Sequence, residues 1–143
     1  RVGARSKRRP NITYDELEDI ASENGVENLY KKLVSGLSEI LTRGTTRYTI
    51  TFKGRLDGSM NTFLSLEPRE SSRGDGLFFR VYSKRLARYL EVDEDDVAST
   101  LPTNAKEWAG YWDAEPGDEY HGFAGYFKTE TEVDTFLKAL AQG

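Results

Sequence analysis

Residues 74–90, GDGLFFRVYSKRLARYL, combine the densest apolar run of the chain with its most coherent group of positive charges. This pattern predicts a turn, a buried strand over residues 77–82, and a helix that begins at Ser83. Helical spacing places Leu86, Ala87 and Leu90 on the inner side of that helix. The outward-facing residues are then Lys84, Arg85 and Arg88.

Two further strands are predicted upstream of this stretch. Residues 45–53 alternate between an apolar face and a basic, polar face, and residues 59–67 form a second extended run after the Asp57-Gly58 turn. The connections between the three strands are too short for helical crossovers, so we expect an antiparallel meander. Residues 122–127 are a candidate for a fourth strand at the edge of the sheet.

Amphipathic helices flank the predicted sheet. Apolar residues recur at helical spacing over residues 12–25, 26–42 and 129–140. We therefore expect an α+β fold, with a three- to four-stranded antiparallel sheet and with the N-terminal helix pair and the C-terminal helix packed on one face. Residues 1–10 are expected to be a basic flexible linker, and residues 11–143 a single α+β domain, a usual size for one hydrophobic core.

Composition limits the possible classes of protein. Hydrophobic residues make up 37% of the 143-residue chain and charged residues 31%, which is typical of a globular domain rather than of a disordered one. No apolar run approaches the roughly 18 residues of a membrane span, so we expect no membrane partner. Cysteine is absent, which excludes disulfides and fits a cytoplasmic location. Because the chain starts at Arg1 rather than at Met, we expect a C-terminal domain of a longer protein.

The net charge of −4 conceals a strong segregation of charge along the chain. Residues 1–10 contain five basic residues and no acid, a balance of +5. Residues 43–88 contain ten basic and four acidic residues, a balance of +6, whereas residues 91–135 contain thirteen acids and two lysines, a balance of −11. Partners must therefore be considered segment by segment. The basic N-terminal arm either follows a phosphate backbone or is a solvated linker to another domain.

The basic residues of the predicted sheet and the following helix form a candidate nucleic-acid interface. Its members are Arg47, Lys53, Arg80, Lys84, Arg85 and Arg88. Arginine suits phosphate because its planar guanidinium presents several donors. Tyr48, Phe78 and Tyr82 lie in the same strands and can stack on bases if they face outward. The alternative is that these basic residues pair with the acidic segment or with an acidic neighbouring domain.

An aromatic segment near the C-terminal end is a candidate pocket for a small ligand or a modified base. Its members are Trp108, Tyr111, Trp112, Tyr120 and His121. The alternative is that they form a lid that closes the core. His121 is the sole histidine, and no metal-binding spacing surrounds it, so we expect no catalytic residue, metal or cofactor. An enzyme with a site near His121, Trp112 and Glu119 is the least favoured hypothesis.

Several segments together resemble a known type of domain. These are residues 47–53, 63–68 (FLSLEP), 77–82 and 126–129 (YFKT), with the helix over residues 133–140. Their order resembles a small uncharacterised α+β domain found at the C-terminal end of predicted endonucleases and other DNA-processing proteins. The likeness covers about residues 45–140 and implies an accessory, non-catalytic role beside a nucleic-acid enzyme.

Two functional hypotheses follow. The first is a non-catalytic accessory domain of a larger DNA-processing protein, which contacts DNA or RNA phosphates through an Arg-rich sheet face and the basic N-terminal arm. The second is a protein–protein interaction domain whose acidic and basic surfaces orient its partner, such as a neighbouring domain of the same longer chain.

Overall fold

The computed structural model describes residues 10–70, 76–109 and 121–142, which form an α+β domain. The α-helices of this part of the chain are α1 (Tyr14–Glu23), α2 (Glu27–Ser38), α3 (Ser83–Leu90), α4 (Glu94–Ala98) and α5 (Glu130–Gln142). The strands are β1 (Thr42–Thr45), β2 (Ile50–Leu56), β3 (Ser59–Leu66), β4 (Leu77–Val81), β5 (Lys106–Ala109) and β6 (His121–Phe127). A single 3₁₀ turn, Pro68–Glu70, follows β3.

The strands form one sheet in the order β1-β2-β3-β4-β6-β5, and every neighbouring pair is antiparallel. The α+β class and the antiparallel meander of β2, β3 and β4 are confirmed. The expected number of three to four strands is wrong, because the sheet has six. The predicted fourth strand exists as β6, but it lies between β4 and β5 rather than at the edge.

The helix predicted over residues 26–42 is too long, and the strand predicted over residues 45–53 is interrupted by a turn. The helix ends at Ser38, Thr42–Thr45 forms β1, and β1 pairs with β2, which begins only at Ile50. A tight turn built by hydroxyl groups joins the two strands: Thr46 Oγ1 accepts hydrogen bonds from the backbone N–H groups of Tyr48 and Thr49, at 3.3 and 3.1 Å. Because this turn contains none of the Gly, Pro, Asn or Asp residues that usually mark turns, the sequence pattern gave no sign of it.

Strand β5 was not among the predicted strands. The side-chain amide of Asn104, just before β5, forms a pair of hydrogen bonds with the backbone of Tyr126 in β6. Asn104 Nδ2 donates to Tyr126 O at 2.9 Å, and Asn104 Oδ1 accepts from Tyr126 N at 2.7 Å. The amide group thus occupies the place of a strand peptide and sets the register in which β5 joins β6.

The core lies between the helices and one face of the sheet, here called the inner face. Residues that alternate along the strands, such as Ile50, Phe52, Leu66 and Phe79, are buried with apolar residues of the helices. The helix residues of this core include Leu17, Leu33, Leu37, Leu86, Val133 and Phe136. The N-terminal helix pair and the C-terminal helix therefore share one core with the sheet, as expected.

An exposed ion pair also links α2 to α5. Lys32 Nζ lies 2.8 Å from Asp134 Oδ1 and 3.4 Å from Glu130 Oε1. The hydrogen bond that Lys32 donates to the Asp134 carboxylate is the main reason that the pKa of Lys32 is raised. The pair orients the two helices but, being solvated, adds little to their stability.

Gly122 provides a test of the junction where β4 turns into α3. A Cβ atom at Gly122 would lie 1.8 Å from the carbonyl oxygen of Val81, so Gly122→Ala must displace backbone. We expect the free energy of unfolding to fall by about 3 kcal/mol or more, at the upper end of the cost of overpacking. Denaturant unfolding measures this loss.

Gly44→Ala is the matched control, because it makes the same change in another strand of the sheet. Its nearest contact would be Thr51 Oγ1 at 3.4 Å, an ordinary packing distance. We expect a change within about 0.5 kcal/mol. Equal losses in the two variants would contradict the close approach at Gly122.

Candidate nucleic-acid interface

The six predicted basic residues do not form one surface. The sheet face opposite the core is here called the outer face. Lys53 in β2 and Arg80 in β4 lie on it, because each alternates along its strand with residues that are buried in the core. Their register partners Thr62 and Ser65 lie on the same face. Arg47 is exposed in the β1–β2 turn, where it lines a cavity with Glu16 and Asp19 of α1. Lys84 is half-buried on α3.

Arg85 was predicted to face outward, and this is wrong. The residue is buried, and its Nη1 donates a hydrogen bond to the carbonyl oxygen of Thr62 at 3.0 Å. Thr62 lies outside the part of β3 that pairs with β4, which begins at Leu64. The Arg85 guanidinium supplies the carbonyl oxygen of Thr62 with the hydrogen bond that a neighbouring strand would otherwise donate. Its Cζ also lies 5.2 Å from the ring centroid of Tyr82. Arg85 therefore has a structural role.

Two other predicted phosphate ligands form ion pairs within the domain. Arg88 on α3 pairs with Asp57 in the β2–β3 turn, where both side chains are solvated. Arg80 Nη1 lies 3.0 Å from Oε1 of Glu67, whose side chain is only 12% exposed. The Glu67 carboxylate holds Arg80 in position, while about a third of the Arg80 side chain stays exposed on the outer face.

A row of small and polar residues crosses the outer face at right angles to the strands. Register pairs Thr51 of β2 with Ser65 of β3, Ser65 with Arg80 of β4, Arg80 with Ala124 of β6, and Ala124 with Lys106 of β5. Directly opposed residues in antiparallel strands share a face, so these five side chains form one continuous row, here called the groove floor. A cavity lies over the β2–β3–β4 part of this row. The row spans four strand spacings of about 4.8 Å, or about 19 Å in all.

Aromatic side chains flank this groove floor on both sides. Phe78 and Tyr126 are register partners, and their ring centroids lie 5.3 Å apart. They are the neighbours of Arg80 and Ala124 on the same face of β4 and β6. Tyr82, which follows β4, lies on the other side of the row and lines a cavity with Ser65 and Arg80. Phe78, Tyr82 and Tyr126 are all half-buried. The groove therefore has a polar floor and aromatic walls.

The outer face has a positive balance of charge. Among the described residues, its basic side chains are Lys53, Arg55, Arg80 and Lys106, and its acidic side chain is Glu67. Sequence analysis missed Lys106 because this lysine lies in the acidic segment 91–135. The pairing of β5 with β6 is what brings it into the same row as Arg80.

The predicted aromatic pocket lies mostly outside the described residues. Tyr111, Trp112 and Tyr120 belong to residues 110–120, and of Trp108 the structure describes only the backbone, in β5.

His121 begins β6 and belongs to a buried polar cluster. Its Nδ1 lies 3.0 Å from Glu94 Oε2, and Ser83 Oγ donates to the same carboxylate oxygen at 2.6 Å. The carboxylate lies between the hydroxyl and the imidazole, so His121 is not placed to accept the Ser83 proton directly. This arrangement joins α3, α4 and β6. Ser83 is the first residue of α3, and its hydroxyl contacts Glu94 and does not cap the helix.

A cavity of about 450 Å³ on the helical side is a poorer candidate for an anion. It lies between α1 and α2, and its charged lining residues are Glu18, Lys31, Glu39 and Arg43, a balanced set. Burial, followed by the nearby Glu18, raises the pKa of Tyr30, so this phenol stays protonated at neutral pH. The positive outer face is the better site for a polyanion.

Searches for other kinds of site and for related proteins add no assignment. Residues 10–70, 76–109 and 121–142 contain no group of three or more His, Asp or Glu residues that could hold a metal ion, and no helix long and apolar enough to cross a bilayer. Comparison of the chain with protein-family models, curated proteins and solved structures gives no match. The resemblance to an accessory domain of DNA-processing proteins therefore stays a prediction.

Arg85→Met tests the structural role of the buried guanidinium. The variant leaves the carbonyl oxygen of Thr62 without its donor, and we expect the free energy of unfolding to fall by about 2 kcal/mol. Arg88→Met is the matched control on the same helix. It removes an exposed ion pair, worth at most about 1 kcal/mol. Denaturant unfolding of both variants measures the difference, and a larger loss in the Arg88 variant would contradict this assignment.

Proposed function

We propose that the outer face of the sheet binds single-stranded nucleic acid, and that the domain is a non-catalytic accessory part of a larger DNA-processing protein. The observation that carries the proposal is the groove across five strands, with Arg80 and Lys106 in its floor and aromatic side chains along its walls. Of the three predicted interface residues that precede the helix, Lys53 and Arg80 belong to this face and Arg47 lies in the β1–β2 turn. Of the three on the helix, Arg85 is buried against β3 and Arg88 pairs with Asp57.

The combination of charge and aromatic rings favours a single strand over a duplex. Bases in a duplex are stacked on each other, so their faces are not available to a protein side chain. In a single strand the bases can stack on rings such as Phe78, Tyr82 and Tyr126, while basic groups contact the phosphates between them. Sheets that bind in this way stack two or three bases, and a row of about 19 Å suits a segment of that size.

The first test is fluorescence anisotropy with labelled single-stranded DNA, single-stranded RNA and duplex DNA at about 50 and 200 mM salt, where phosphate contacts change affinity most. The double variant Lys53→Gln/Lys106→Gln removes two positive charges from the outer face. We expect weaker binding of single strands and a slope of log affinity against log salt that is smaller by about 2.

The matched control is Lys31→Gln/Lys138→Gln, which removes the same charge from the exposed helical side. Retention of the salt slope in this control is expected. If the two double variants weakened binding equally, binding would depend on the net charge of the domain rather than on the outer face of the sheet. The absence of binding at about 50 mM salt would contradict the proposed function, and self-association at low salt without nucleic acid would favour the protein–protein alternative.

Tyr126→Leu tests stacking separately from charge. Loss of one base–aromatic stack costs about 1–3 kcal/mol, so single-strand affinity should fall by about tenfold or more. The salt slope should not change, because no phosphate contact is removed. An unchanged affinity for all three oligonucleotides would exclude Tyr126 from the binding surface.

A further inference from the structure

We infer that a cavity at the β2–β3–β4 part of the groove binds a phosphomonoester group. The cavity has a volume of about 450 Å³, and hydroxyl groups dominate its lining. The lining includes Thr49, Thr51, Thr62, Ser65, Arg80 and Tyr82. Arg80 is the sole charged residue among them. Its partner Glu67 does not line the cavity.

Thr51 is the observation that points to a ligand. The residue is 5% exposed, and its Oγ1 is buried without a hydrogen-bond partner in the described part of the chain. An unsatisfied buried hydroxyl costs stability, and it is uncommon unless a ligand or a function accounts for it. Valine has nearly the same shape as threonine and would fill the position without that cost, so the hydroxyl is unexplained by packing.

Thr49 supplies a second hydroxyl donor. Thr46 Oγ1 accepts from the N–H groups of Tyr48 and Thr49 and lies 2.6 Å from Thr49 Oγ1. The two N–H groups occupy both acceptor sites of the Thr46 oxygen, so the arrangement that fits this geometry has Thr46 as the donor to Thr49. The proton of Thr49 is then directed elsewhere, and Thr49 lines the cavity two residues before Thr51.

The donors suit an oxyanion with several exposed oxygens. Thr49, Thr51 and Arg80 line one cavity, and this cavity has no acidic lining residue. A phosphomonoester presents three terminal oxygens and about two negative charges, whereas a phosphodiester within a strand presents two oxygens and one charge. A terminal phosphate therefore uses more of these donors. The group can come from the end of a nucleic-acid strand or from free phosphate.

If the phosphate comes from the end of a strand, this inference rests on the proposed function. The test below distinguishes a strand-end phosphate from free phosphate. Internally labelled oligonucleotides that carry a 5′-phosphate, a 3′-phosphate or no terminal phosphate are titrated against the full chain and against Thr51→Val. We expect one terminal phosphate to tighten binding by about tenfold, the value of a hydrogen bond to a charged group, and Thr51→Val to abolish this gain. Inorganic phosphate should compete with that oligonucleotide.

Thr42→Val is the matched control, since Thr42 lies on the outer face of β1 but does not line the cavity. It should keep the preference. The melting temperature of Thr51→Val should equal or exceed that of the unmodified chain, because the substitution removes an unsatisfied buried hydroxyl. A lower melting temperature would assign the hydroxyl a structural role and overturn the inference. Ser65→Ala, which also removes a lining hydroxyl, gives an independent variant of the cavity.

The remaining outcomes are also decisive. If all three oligonucleotides bind equally well to the unmodified chain and to Thr51→Val, the phosphate cavity is refuted while the proposed function stands. If none of them binds, the proposed function fails, and an amide NMR titration with inorganic phosphate decides the inference alone. Shifts at residues 49–51 that disappear in Thr51→Val would support a site for free phosphate, and an absence of shifts would refute it.

Discussion

The alternation of side chains along β2, β3 and β4 is the constraint on which the rest of the structure depends. Because the strands are antiparallel and in register, one set of alternate residues joins the helices in a single core. The other set forms a second surface whose composition the core does not determine. That surface carries hydroxyl, aromatic and basic groups, and the proposed binding function rests on this division of roles between the two faces.

Much of the fold could be predicted from the sequence, because periodicity and punctuation agree over most of the chain. The strands around Leu66 and Phe79 and the helices that flank the sheet follow from apolar spacing alone. The two missed strands have different causes. The β1–β2 turn depends on the hydroxyl group of Thr46, and β5 depends on the side chain of Asn104 acting as a strand peptide. Such side-chain substitutes for backbone hydrogen bonds leave little trace in a pattern of apolar residues.

The candidate site was predicted less well than the fold, and the reason lies in the geometry of arginine. Helical spacing placed Arg85 on the side of the helix that faces away from the core, so an exposed side chain was predicted. Arg85 is long enough to reach from α3 to the end of β3, where a carbonyl oxygen has lost its strand neighbour. The need for that donor arises from the end of the β3–β4 pairing, a tertiary feature. Lys106 was missed for the complementary reason, because its neighbours across the sheet are distant in sequence.

The outer face also contains features that the core alone would not require. A β-bulge between Phe52 and Lys53 lets both Phe63 and Leu64 be buried, and it places Lys53 and Thr62 on the outer surface. On the same surface the buried hydroxyl of Thr51 has no hydrogen-bond partner among the residues that the structure describes. Selection for stability alone would replace that hydroxyl with a methyl group, since an unsatisfied buried polar group lowers the free energy of unfolding. Because Thr51 lines the same cavity as Arg80, the proposed binding of a group from outside the domain explains this hydroxyl better than the packing of the domain itself does.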